Sequence, residues 1–180
     1  IFVINRESYL VQKKKGDYKL VKKELTDIII NSSLNYQQTI STKPIFQISS
    51  GEYRCRYLVI DIDVRDKNLV TNIVDDFEEV FGVKRNYIFL EDSGNKGYHL
   101  YLFFSDVNGC DINVVKEIGI YFQNKYKVEY FPTSENSKYI RLPLSMNQKN
   151  NKQSFFITHN FEPVQNNIKY LKLLSETRLK

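Results

Sequence analysis

Asp61 and Asp63 stand one residue apart at the end of the run Tyr57-Leu58-Val59-Ile60. An apolar run followed by alternating Asp, Ile and Asp reads as a strand, whose two-residue period turns both carboxylates to one face. Two like charges side by side at the end of a buried strand are costly unless something neutralises them. A divalent metal is the commonest such partner, and hard oxygen ligands on a rigid strand suit Mg2+ or Mn2+. The plainer alternative is that one Asp caps the following helix and the other is solvated.

Ser93-Gly94-Asn95-Lys96-Gly97-Tyr98-His99 supplies the opposite charge. Two glycines let the backbone approach closely and turn N–H groups toward an anion, while Ser93, Lys96 and His99 add donors that suit a triphosphate. An ordinary Gly-containing turn and a structural histidine are the bland readings of the same residues. Arg141, ahead of Leu-Pro-Leu, is either a second phosphate clamp or half of a surface ion pair. Glu129 is a third carboxylate. If it lies beside Asp61 and Asp63, the three could hold two ions, a pair suited to in-line phosphoryl transfer.

Whether these residues meet depends on the elements that carry them. Residues 54–62 read as the central strand, and Asp66 opens a helix with Leu69, Val70, Ile73, Val74, Phe77, Val80 and Phe81 on one face and Gly82 as its stop. Residues 86–90 form a second strand, 92–97 the glycine-rich turn and 98–104 a third strand. Asp111 caps a second helix, with Ile112, Val115, Ile118 and Phe122 facing inward, and 126–130 form the fourth strand. The order βαββαβ is the α+β, ferredoxin-like arrangement of RNA-recognition-motif (RRM-like) domains. Its sheet order, fourth-first-third-second, puts Asp61 and Asp63 beside His99 and Glu129. Ahead of this core, residues 9–11 and 18–21 flank a turn at 13–17 as a hairpin, 24–34 form a helix, and 40–48 are extended. Behind it come a strand at 154–158 and a helix at 164–174. The expected division is an N-terminal αβ unit at 1–52, an RRM-like catalytic core at 53–145 and a C-terminal strand and helix at 146–180, together read as a piece of a longer protein.

A chain of 180 residues is long enough to bury a full core. Its 26 Lys and Arg against 21 Asp and Glu leave +5, compatible with a polyanionic partner. The lysines are dispersed, so a phosphate-binding surface has to be assembled by the fold. Cys55 and Cys110 stand alone and the chain has two His, which argues against a disulfide framework or a zinc cluster and for reduced thiols in a cytoplasmic protein. No apolar run reaches the length of a membrane-spanning helix.

Taken in order, Asp61-Ile62-Asp63, Ser93 to His99, Glu129-Tyr130-Phe131-Pro132 and Ile140-Arg141-Leu142-Pro143-Leu144 resemble the successive motifs of the archaeo-eukaryotic primase superfamily. The similarity is to bacterial primase-polymerases, including those of CRISPR loci and TOTE-type conflict systems. It covers about 39–144 well and the earlier hairpin and helix more loosely. The resemblance implies a template-dependent nucleotidyltransferase in which Asp61, Asp63 and Glu129 bind two Mg2+ or Mn2+ ions. It also implies that Ser93, Gly94, Lys96, Gly97, His99 and Arg141 form the nucleotide site. Single-stranded DNA template, primer and nucleoside triphosphates are then the implied partners, with CRISPR adaptation proteins as a further one. Residues 39–44 stand where relatives often carry a Gly and a Tyr, which leaves sugar selection open. Two other readings use the same residues: a metal-dependent nuclease on the three acids, or a non-catalytic RRM-type module binding nucleic acid through Tyr98, Tyr101 and Phe103.

Overall fold

Tyr57–Ile62 is buried along almost its whole length, and the rest of the molecule is layered on its two faces. The computed structural model describes residues 2–4, 6–13, 16–104, 108–136, 138–177 and 179; Lys14 and Lys15 of the expected hairpin turn fall outside these. In chain order the elements begin with β1 (Tyr9–Gln12), β2 (Tyr18–Val21), α1 (Asp27–Leu34), β3 (Thr39–Thr42), β4 (Ile45–Gln47), β5 (Tyr53–Cys55) and β6 (Tyr57–Ile62). They continue with α2 (Lys67–Glu79), β7 (Ile88–Asp92), β8 (Tyr98–Phe103), β9 (Cys110–Asp111), α3 (Ile112–Tyr126) and β10 (Glu129–Phe131). The chain closes with β11 (Ile140–Arg141), β12 (Met146–Asn147), β13 (Lys152–Gln153), β14 (Phe155–Ile157) and α4 (Asn167–Glu176).

The central sheet runs β10-β6-β8-β7-β14, antiparallel throughout. The expected order of fourth, first, third and second strand is therefore present, with β14 added at the far edge. Strand alternation sorts its side chains into two cores. On one face Leu58, Ile60, Ile62, Leu90, Leu100 and Leu102 pack with Val70, Ile73, Val74 and Phe77 of α2 and Val115 and Phe122 of α3. On the other, Tyr57, Val59, Phe89, Tyr101, Phe103 and Phe156 meet the N-terminal layer through Phe2, Tyr9, Leu25 and Ile40. Each such side chain contributes roughly 1.5–3 kcal/mol by leaving water. The N-terminal layer is a second sheet, β11-β3-β1-β2. Because β11 joins it, Arg141 projects from the layer opposite the acids.

Local chemistry explains where elements start and stop. Asp66 caps α2 by accepting from the amides of Asn68 and Leu69, and Asp111 caps α3 through Asn113 N. Gly119 lets α3 press on β10, since a Cβ there would lie 2.0 Å from the Tyr130 ring. Gly82, at φ +65°, follows the end of α2 as expected.

Several boundaries differ from the sequence reading. The single strand expected over 54–62 is two: β5 pairs with β4 and β9, and only from Tyr57 does the chain enter the central sheet. The extended stretch over 40–48 likewise divides at Lys43-Pro44 into strands of different sheets, at the residue that lacks an amide donor. The helix expected from residue 24 starts at Asp27 behind its Thr26 cap. The fourth strand starts later than expected, because α3 continues through Tyr126 and ends on Lys127 in the left-handed region at φ +58°. A short 3-10 turn at Arg85–Tyr87 delays β7, and α4 starts at Asn167 rather than 164.

Candidate active site

Register brings the acids and the histidine together. Asp61 lies opposite Glu129 on β10 and opposite His99 on β8, and His99 in turn lies opposite Glu91 on β7. Directly opposed residues of an antiparallel ladder share a face. Glu129, Asp61, His99, Glu91 and then Phe156 of β14 thus form one transverse row across all five strands. The row passes from exposed at Glu129 to buried at Glu91 and Phe156.

Above this row, between the central sheet and the N-terminal layer, lies a cavity of about 500 Å³. Asp61, Asp63, Ser93, Asn95, Lys96, His99 and Arg141 line one part of it, and Leu10, Tyr18, Val59, Phe131, Tyr139 and Ile140 line another. Six of the expected site residues therefore face one space. Glu129 stands beside it on the edge strand, and Gly94 and Gly97 support it from behind rather than lining it.

The glycine-rich turn differs from expectation in how it offers itself to an anion. Its amides are largely engaged within the protein: Ser93 N donates to Gly97 O at 3.0 Å, and Gly94 N to Asp92 Oδ1 at 2.9 Å. The amides of Asn95 and Gly97 both reach Ser93 Oγ, at 3.4 and 3.2 Å. The glycines serve close approach instead. A Cβ on Gly97 would sit 1.7 Å from Ile62 O, and one on Gly94 2.3 Å from Gln153 O. The turn is thus pressed against the end of β6, and its cationic side chains remain to meet a ligand. Arg141 Nη2 donates to Ser93 O at 2.7 Å, which ties the N-terminal layer to the same turn.

Two residues at this site went unread in the sequence. Arg65, just past Asp63, donates to both oxygens of Asp92 at 2.8 and 2.9 Å, so the acid-bearing strand and the turn are clamped by a bidentate pair. Glu91 is 1 % exposed. Its Oε2 accepts from Tyr101 Oη at 2.8 Å and pairs with His99 Nδ1 at 2.7 Å, and its Oε1 accepts from Leu144 N at 3.1 Å. The signal was present: Phe89-Leu90-Glu91-Asp92 is another apolar strand ending in two acids.

The charges shape one another. Burial pulls the Glu91 carboxyl upward, but the hydrogen bond and charge of His99, with the charge of Arg141, outweigh it and hold Glu91 at about 2. Burial alone would lower His99; the hydrogen bond and charge of Glu91 and the charge of Asp61 raise it instead. Asp61, whose Oδ1 lies 3.5 Å from His99 Nε2, is raised by burial and by the charges of Asp63 and Glu129, against the opposing pull of His99 and Arg141.

Among the described residues no three His, Cys, Asp or Glu side chains are gathered tightly enough to form a metal cage. The donor chemistry nonetheless fits a divalent cation. Asp61 and Glu129 are like charges directly opposed across a ladder, an arrangement that is repulsive by itself, and Asp63 adds a third carboxylate.

A family model described as the archaeo-eukaryotic primase domain of TOTE conflict systems matches residues 4–180. The chain belongs to that family. Among solved structures, this primase-family chain is similar to the polymerase domain of Mycobacterium tuberculosis ligase D in complex with DNA. The two share 13% identity with a TM-score of 0.55, over 97% of this chain and 82% of the other. It also matches the catalytic domain of primase Repb' in complex with initiator DNA, at 12% identity and a TM-score of 0.49, over 94% and 86% of the two chains. No curated protein matches the sequence. The structural likeness to the ligase D domain bears out the α+β primase-polymerase fold expected from the motifs.

Proposed function

We propose that this primase-family domain is a template-dependent nucleotidyltransferase that builds a DNA or RNA strand from nucleoside triphosphates. The observation that carries the reading is the single cavity in which two carboxylates face three cationic groups, Lys96, His99 and Arg141. That pairing suits a substrate that brings both a polyphosphate and divalent cations. Asp61, Asp63 and Glu129 would hold Mg2+ or Mn2+, which when bound supplies charge neutralisation at the transferred phosphoryl group. Lys96, His99 and Arg141 orient the triphosphate, so much of the catalytic effect comes from positioning and preorganised charge. The apolar part of the cavity, with Tyr139 and Val59, takes the sugar and base. Tyr18 both lines the cavity and is 44% exposed, which suits it to stack on a template base.

The RRM-type alternative loses its platform. Tyr98, Tyr101 and Phe103 are all buried, at 5%, 0% and 1% exposure, so none of them can stack on a nucleic acid. A nuclease would use the acids but leaves the cationic half of the cavity without a purpose.

The test is extension of a labelled primer on single-stranded template with deoxy- or ribonucleotides and Mg2+ or Mn2+. Template-directed growth is expected from the wild type and none from Asp61→Ala or Asp63→Ala, with chelation abolishing growth as well. Primer shortening would favour the nuclease. Undiminished synthesis by both variants would remove the acids from the mechanism.

A further inference from the structure

A buried, ionised carboxylate is an expensive choice for position 91. Phe89 and Phe156, its neighbours along the strand and across to β14, are apolar, so the carboxylate is held not by its hydrocarbon surroundings but by a specific set of donors. What the carboxylate does is visible in its contacts. An ionised carboxylate only accepts hydrogen bonds, so at 2.7 Å from Glu91 Oε2 the Nδ1 of His99 must carry a proton. The other ring nitrogen, Nε2, is then the one directed to Asp61 and the cavity. Glu91 cannot swing away, because Tyr101 Oη and Leu144 N hold its two oxygens from different elements. Leu144 adopts the left-handed region at φ +61°, a conformation a leucine takes only when its surroundings impose it. Tyr101 also packs edge-on against the His99 ring, with centroids 6.1 Å apart and planes at 87°.

We propose that Glu91 is a positioning residue for nucleotide binding: by accepting from His99 Nδ1–H it fixes the orientation of the ring as an imidazolium whose Nε2–H is directed to the phosphates of the incoming nucleotide. This deepens the polymerase reading and rests on it. Glu91 touches no substrate; its effect passes through the His99 ring, as an outer carboxylate orients an imidazole in other sites.

The test is a double-mutant cycle on Glu91→Gln and His99→Ala, read by primer-extension kinetics and by titration with a fluorescent nucleoside triphosphate. Glu91→Gln keeps the shape and removes the charge. It is expected to raise KM and weaken nucleotide binding by about tenfold, the range of one charge-assisted hydrogen bond, with kcat changed far less. In the His99→Ala background the same substitution should add less than about threefold, because the ring through which it acts is gone. Defects that multiply in full would overturn the proposal and make Glu91 merely structural. Should Glu91→Gln not fold, nitrogen-15 spectra of the wild-type imidazoles decide instead. A proton on His99 Nδ1 is expected, with the His99→Ala spectrum assigning the signal; a bare Nδ1 overturns the proposal. Failure of the polymerase reading looks different, since the wild type would then neither bind nucleotide nor extend a primer while the Nδ1 proton remained.

Discussion

Glu91 and His99 give the folded chain a pH signature of its own. Glu91 moves from an ordinary 4.5 down to about 2 on folding, so its contribution is complete above 4.5 and is lost as pH falls toward 2. A shift of that size is on the order of 3 kcal/mol. His99 moves upward from 6.5, so its contribution is complete below 6.5 and is lost as pH rises through its folded value. The pair is at full strength between 4.5 and 6.5. Thermal midpoints measured against pH should show a plateau there with a fall on both sides, and Glu91→Gln should flatten it; a wild-type profile with no acid limb would refute the assignment. At this scale the sequence was readable where a residue's role follows from its own strand. Asp61 and Asp63 share a face by period alone, and His99 and Glu129 join them once strand order is known. Glu91 carried the same signal, an acid at the end of an apolar strand, but its partner His99 is set by strand register, while Arg65 was hidden because its partner Asp92 lies 27 residues away and no local period links them.

Two glycines set how closely elements approach, and each supports a prediction about its element. Gly97→Ala places a methyl group within 1.7 Å of Ile62 O, so either the turn or the end of β6 must move. The expected result is a loss of about 1–3 kcal/mol, the range of overpacking, together with weaker nucleotide binding, since that contact sets the turn carrying Lys96 against the strand end carrying Asp61 and Asp63. Gly119→Ala should cost a similar amount by driving α3 off Tyr130, but with nucleotide affinity largely kept, because α3 packs on the face away from the cavity. Comparing unfolding midpoints with nucleotide titrations separates the two cases; equal effects on binding would contradict the assigned geometry. Elements were legible where amphipathic period and caps coincide, as at Asp66 and Asp111. They were misread where the chain changes sheets. Nothing in the extended-looking stretch from Arg54 to Ile62 shows that the chain leaves one sheet and enters another around Arg56.

The molecule as a whole is a sandwich whose filling at one end is the site. Phe2 is the plug between the layers, making edge-on contacts with Tyr57, Tyr101 and Phe103 at 5.6, 5.3 and 5.2 Å. Phe2→Ala should lower stability by about 3–5 kcal/mol, measured by denaturant unfolding. It should also raise KM for nucleotide, because Arg141 and Tyr139 belong to the layer that loosens. A variant as stable as the wild type would show that the layers hold without it. The βαββαβ core was legible at this scale because strand order follows from a known topology. The docking of the N-terminal layer was not, since it depends on long-range contacts such as Phe2 against Tyr101 and Arg141 Nη2 to Ser93 O. The transverse row from Glu129 to Phe156 has a consequence for how such a chain can change length. Inserting or deleting one residue within β6, β7 or β8 would turn that strand's member of the row to the helix-covered face, and two would keep the face but break the rank. A change of length that keeps the site is therefore expected to be tolerated in the loops and not in these strands, which behave as a ruler with a fixed number of marks.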